Sequence, residues 1–205
     1  TRQEVIDLKM SALKERWAGD GYICAMPDNI YGIKPYFLYG WVGQSFRLAL
    51  CDLLNALNRK EREGIERMYK CVDFFLKNSK TDIPGLRYNY FHLEDSSWTG
   101  EGSGDKQGFS ARALGETWTD LARIIRCCRE NGLAEPEGAL EALQEGLQFI
   151  IDHRLECGAV PFMWFADGTP ISEEVSCAGS SVLPAFLEYY RLTGEERWCR
   201  YAEDM

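Results

Sequence analysis

Apolar residues recur at intervals of three and four along most of the chain, and this spacing predicts a succession of helices. Val5, Leu8, Met10, Leu13 and Trp17 mark an amphipathic first helix that ends at Gly19 and Gly21. From about Phe37 to Leu57 the apolar positions Leu38, Trp41, Val42, Phe46, Ala49, Leu50, Leu53, Leu54 and Leu57 cover more than one face. That is the pattern of a buried helix. The stretch from Glu61 to Asn78 is one-faced, with Ile65, Met68, Tyr69, Val72, Phe75 and Leu76 inward, and reads as an outer helix packed on the one before.

The same pair recurs twice. The second has an inner helix from about Ala111 to Asn131, through Leu114, Trp118, Leu121, Ile124 and Ile125. Its outer helix runs from about Pro136 to Leu155, with Pro136 suited to a first helical turn. The third starts near Glu174, passes Val182, Leu183, Phe186, Leu187 and Tyr190, and turns at Thr193-Gly194. It re-enters a helix from Glu195 to Met205, where Thr193 and Glu196 have capping-box spacing. The fold class expected is all-α, made of repeated α-hairpins.

Turns within pairs are short, whereas long connections lead into the inner helices: Tyr22 to Tyr36, Ser79 to Gly108 and Glu156 to Glu173. The latter two have strand character, in the aromatic run Arg87 to Leu93 and in Val160 to Phe165, which turns at Asp167-Gly168 as a small β-hairpin. Connections of this length are usually functional, and these hold many aromatics.

Charge narrows the partners. Thirty-two acidic against 23 basic residues give a net charge of -9, which repels a phosphate backbone, so nucleic acid is excluded as an expected partner. Charges interrupt every hydrophobic stretch, so no membrane span is expected. The eight cysteines show no C-x-x-C pair and fall mostly within apolar patterns. They read as small buried hydrophobes of a reducing, cytoplasmic compartment rather than as disulfides or metal ligands, and no cofactor is expected.

The joint Arg191-Leu192-Thr193-Gly194-Glu195-Glu196-Arg197-Trp198, the preceding Cys177 to Tyr190, and the segments Tyr39 to Ser45 and Gly108 to Gly115 resemble the repeat unit of the six-hairpin glycosidase superfamily, the (α/α)6 toroids. The resemblance implies an (α/α) toroid with its substrate cleft where long loops enter the inner helices. Glycan hydrolysis is the common activity there, with a carbohydrate as partner. Three hairpins and a leading helix are counted where a closed toroid has six. Residues 1–205 are therefore expected to be one domain of that kind, a piece of a larger catalytic domain, with the rest of the toroid or a second copy covering exposed apolar ends.

Glycoside hydrolysis uses two carboxyl groups flanking the scissile bond. Glu94 to Asp105 carries four acids, Trp98 and three glycines just before an inner helix, and supplies Glu101 and Asp105 as catalytic candidates. Asp28, near Tyr31, Tyr36 and Tyr39, is a third. The same segments also fit a solvated, helix-capping loop and a turn. Trp98, Trp164, Tyr36, Trp41, Gln44 and His92 are the substrate-binding candidates, as stacking platforms or polar contacts. Glu116 and Asp120, if they face the toroid axis, need basic partners such as Arg112 or Arg123. A sugar epimerase or lyase using His92, Tyr88, Tyr90 and Arg87, and a non-catalytic repeat scaffold, are the alternatives.

Overall fold

The computed structural model describes residues 1–24, 35–41, 45–101 and 107–205. Among these residues a leading helix α1 (Arg2–Glu15) is followed by three helix pairs: α2 (Ser45–Arg59) with α3 (Glu63–Asn78), α4 (Ala111–Glu130) with α5 (Ala139–Asp152), and α6 (Leu183–Thr193) with α7 (Glu196–Glu203). Helix α6 is entered through a 3-10 turn over Cys177–Val182. The hairpin repeat expected from hydrophobic spacing is present, and α4 lies at its centre against α2, α5 and α6.

Small residues set how closely the helices approach. Gly40, at φ +84, lies so close to the Ala113 carbonyl that a Cβ there would overlap it, and Gly115 touches the Ser181 carbonyl in the same way. The starts of the three inner helices are thereby drawn together. Gly146 on α5 leaves room for the buried indole of Trp118 on α4.

Charged residues inside this packing are paired. Asp52 of α2 and Arg67 of α3, both buried, form a two-point ion pair (Nε–Oδ2 2.6 Å, Nη2–Oδ1 3.0 Å). The Tyr22 hydroxyl donates to the same carboxylate at 2.8 Å. Removing one member of such a pair leaves a charge stranded in the interior.

Among the described residues five short strands join the long connections. Strands β1 (Tyr36–Leu38), β2 (Tyr90–His92) and β3 (Ser97–Thr99) form an antiparallel sheet in that order. Strands β4 (Gly108–Ser110) and β5 (Met163–Phe165) form a second, and reciprocal backbone hydrogen bonds of 2.7 Å between Glu101 and Gly108 tie the two together. All three long connections thus meet at the end of the molecule where the inner helices begin. Phe37, Phe91 and Trp98 share one face of the first sheet and pack on Phe74 of α3.

Several local expectations are corrected. The inner helix expected from Phe37 begins at Ser45, because Tyr36 to Leu38 pair with β2. It is one-faced, not buried all round: Leu54 is 52% exposed and Cys51 is exposed on the side facing away from α3. Pro136 lies in a turn before α5, its carbonyl accepting from Ala139 N. Thr193 is the last residue of α6 and bonds back to the Tyr189 carbonyl at 3.0 Å, with Gly194 left-handed after it, so Glu195 holds the α7 N-cap position. Helix α1 buries only Leu13, leaving Leu8 73% exposed. Cys24, Cys71, Cys127 and Cys128 are buried as expected, but Cys51, Cys157 and Cys177 are exposed. The Asp167-Gly168 hairpin forms, with Gly168 at φ +82 and Phe165 N bonded to the Thr169 carbonyl at 2.8 Å. Among the described residues no helix is long and apolar enough to cross a membrane.

Two outcomes are expected. Asp52→Ala should lower stability by about 3–5 kcal/mol in denaturant unfolding, because Arg67, left only with exposed Glu63, and the Tyr22 hydroxyl both lose their partner in the core. Alkylation at pH 8 should modify Cys157 and Cys177 in the native state and spare Cys71, whose thiol burial pushes up to about 12, until the chain unfolds. Mass-mapped labelling distinguishes the two classes.

Candidate active site at the loop rim

The rim is built outward from the first turn of α4. Ser110 caps that helix, its Oγ accepting from Ala113 N at 3.1 Å. The same hydroxyl donates to Glu101 Oε1 at 2.5 Å, the Ser110 N–H adds a longer bond at 3.3 Å, and Asn89 Nδ2 adds a third at 3.2 Å. All three donors converge on Oε1, and Glu101 Oε2 has no partner among the described residues. The carboxylate is therefore fixed by one oxygen and, among the described residues, unengaged at the other, at a partly exposed position. Asn89 is buried, and its Oδ1 has no hydrogen-bond partner among the described residues.

Strand alternation divides the aromatics. Opposite the core-facing Phe37, Phe91 and Trp98, the sheet carries Tyr36, Tyr90, His92 and Thr99 on its other face. The rings of Tyr90 and His92 lie nearly parallel at 6.5 Å, Tyr36 sits 5.4 Å from Tyr90, and His92 Nε2 shares a 2.9 Å hydrogen bond with Thr99 Oγ1. Burial, with the charges of Glu101 and Cys24 adding, pushes the Tyr90 phenol up to about 12. Tyr90 accordingly stays a proton donor near neutral pH.

A second group lies along α4. Arg112 Nε bonds Glu116 Oε1 at 3.0 Å, and the Arg112 guanidinium lies 5.9 Å from the centroid of Trp41, a residue at φ +41 and 42% exposed. One turn further, fully buried Asp120 receives Arg47 Nε of α2 on both oxygens at 2.8 Å, with Arg123 at 3.7 Å. Burial raises the Asp120 carboxyl against the pull of Arg47 and Arg123. Glu188 of α6, buried, is met in turn by Arg123, Arg126 and Arg191 at 3.2–3.3 Å.

The sequence-derived candidates separate accordingly. Glu101 and His92 stand partly exposed at the rim, Tyr36 beside them is buried with Cys24 and Leu38, and Trp41 is exposed beside Arg112. Trp98 lies on the opposite, core-facing side and lines a separate cleft of about 500 Å³ with Asp20, Phe74 and Asn78. Trp164 is fully enclosed against Phe149, its Nε1 donating to the His153 carbonyl at 2.8 Å, so its ring has no face open to a sugar. Tyr39 is likewise core, and buried Arg87 holds the Leu76 carbonyl at 2.8 Å. Asp28, Gln44 and Asp105 lie outside the described residues. Asn89, Ser110 and Arg47 were not anticipated; of these only Ser110 had a signal, a serine one residue before an inner helix. Among the described residues no group of three or more His, Cys, Asp or Glu side chains is placed to hold a metal ion.

No protein-family profile and no curated protein sequence matches the chain. Solved structures do. A UGL variant with the saccharide dGlcA-Glc-Rha-Glc superposes with a TM-score of 0.71 at 15% identity, over 99% of this chain and 54% of that one. A D-mannose isomerase gives 0.64 at 9% identity, over 98% and 49%. A GH76 α-mannanase of Bacteroides thetaiotaomicron gives 0.63 at 12% identity, over 100% and 54%. The fold is therefore that of the (α/α) toroids, and the chain spans about half the length of the structures it matches.

Ser110→Ala should cost about 1–2 kcal/mol as a lost helix cap. It should also release Glu101, read as faster amide exchange at Glu101 and Gly108; unchanged exchange there would show that Ser110 does not hold the carboxylate.

Proposed function

We propose that this chain supplies the substrate-binding rim of a carbohydrate-active enzyme of the (α/α) toroid kind, and that its reaction is hydrolysis of a glycosidic bond. The observation that carries the reading is Glu101, a carboxylate fixed through one oxygen by Ser110 and Asn89 with the other oxygen unengaged among the described residues, at the point where the three long connections converge. The fold shared with several sugar-processing proteins supports the substrate class by analogy. In this scheme Glu101 acts as one of two acids. Asp105 and Asp28 are the candidates for the other, which must lie about 5–5.5 Å away for retention of configuration or about 6.5–9.5 Å away for inversion.

A second reading rests on the outward face of β2. His92, held by Thr99 and flanked by Tyr90 and Tyr36, has the composition of a proton-transfer site. An imidazole base and a phenol donor suit movement of a proton next to a sugar carbonyl, the chemistry of an isomerase or epimerase.

Assays of reducing-end release and of aldose–ketose conversion on wild type, Glu101→Gln and His92→Gln decide between them. A loss of about 10²-fold or more in reducing-end release confined to Glu101→Gln supports hydrolysis. The converse pattern, conversion abolished by His92→Gln, supports the second reading. Saccharide binding with no turnover that either variant alters points to a scaffold and overturns both.

A further inference from the structure

Resting on the carbohydrate reading above, we infer that the sugar taken at this rim carries an oxyanion, a carboxylate or a phosphate, and that Arg112 and Arg47 receive it with Trp41 beneath the ring. Both arginines lie in the first turn of an inner helix, at the end where the long connections meet. Among the described residues each is anchored through Nε alone, Arg112 on Glu116 and Arg47 on Asp120. Glu116 and Asp120 are one turn apart on α4, so the two anchoring side chains lie about 5–6 Å apart at Cβ. The terminal nitrogens of both have no hydrogen-bond partner among the described residues. Their side chains are 49% and 44% exposed.

A purely structural role explains this arrangement poorly. A guanidinium that serves a carboxylate best does so with two parallel N–H bonds, as Arg67 does for Asp52. Arg47 instead meets both oxygens of Asp120 through Nε, with no hydrogen bond from its terminal nitrogens among the described residues. The acids of this face, Asp120 and Glu188, are buried, whereas Arg47, Arg112, Arg123, Arg126 and Arg191 stand outward around them. A chain of net charge -9 thus presents a guanidinium-lined face along its inner helices. The open fork matches the planar pair of oxygens of a carboxylate, or two oxygens of a phosphate, and the start of α4 adds the favourable sign of its peptide dipoles. Trp41, with Arg112 5.9 Å from its ring centroid, offers an exposed surface on which the apolar side of a pyranose can rest.

The test is calorimetric titration of the chain with a glucuronate-terminated disaccharide, its glucose-terminated counterpart and glucose 6-phosphate. The acidic sugar should bind about tenfold or more tightly than the neutral one, and the preference should shrink at high salt. Arg112→Gln should bring the acidic sugar down to the affinity of the neutral one. Arg112→Lys, which keeps the charge and loses the fork, should restore only part of the difference, and Arg59→Gln on the far end of α2 serves as the control. Preference for the phosphate over the glucuronide identifies the oxyanion and keeps the assignment of the arginines. Equal binding of acidic and neutral sugars, or a preference that survives Arg112→Gln, overturns the inference while leaving the carbohydrate reading intact. Failure of every saccharide to bind removes that reading as well.

Discussion

Burial of α4 is the constraint on which the remaining architecture depends. Its 20 residues touch every part that matters: Trp118 fills the space left by Gly146 of the outer helix, and Asp120 draws in Arg47 of α2. Arg123 reaches Glu188 of α6, and Ser110 at its head holds Glu101 of the rim. A helix so enclosed cannot shift without breaking contacts on several sides, because packed interiors accommodate displacement poorly. The rim inherits its geometry from this rigidity.

Two kinds of interaction divide the work. Apolar contacts between inner and outer helices supply the gross stability, through residues such as Leu121, Ile124, Leu143 and Leu147 that are wholly excluded from water. Contacts between successive inner helices are more polar, running from Arg47 through Asp120 and Arg123 to Glu188. Buried acids of this kind add little net stability against well-packed apolar residues, and their best-attested use is to fix register. Here they join the three inner helices in succession.

The helix pairs were legible in the sequence because a three-to-four-residue repeat depends only on which side of a helix is covered. The exceptions arise where a local pattern met a non-local partner. Phe37 and Leu38 have helical spacing with the residues after them, yet β2 recruits them with Tyr36 as a strand. Thr193 and Glu196 have the spacing of a capping box, but the left-handed turn at Gly194 ends the previous helix first. Trp164 and Trp41 look alike as residues; the first is sealed by Phe149 and the second left open, a difference that only the assembled chain creates. Glu101 was a candidate from its setting among glycines and acids before a helix. Of its anchors Asn89 was not, lying twelve residues upstream, and neither was the pairing of Arg47 with Asp120, 73 residues apart.

The serial pairing of the long connections inverts an ordinary expectation about where a helical protein tolerates change. Loops usually absorb insertions and turns resist them. In this chain β1, β2, β3, the Glu101–Gly108 bridge, β4 and β5 are laced edge to edge, so lengthening any one of them would shift the register of its neighbours. The short helix-to-helix turns at the opposite end, such as 131–138, carry no such lacing. Drift in length over evolutionary time, and room for grafted sequence, belong at that end.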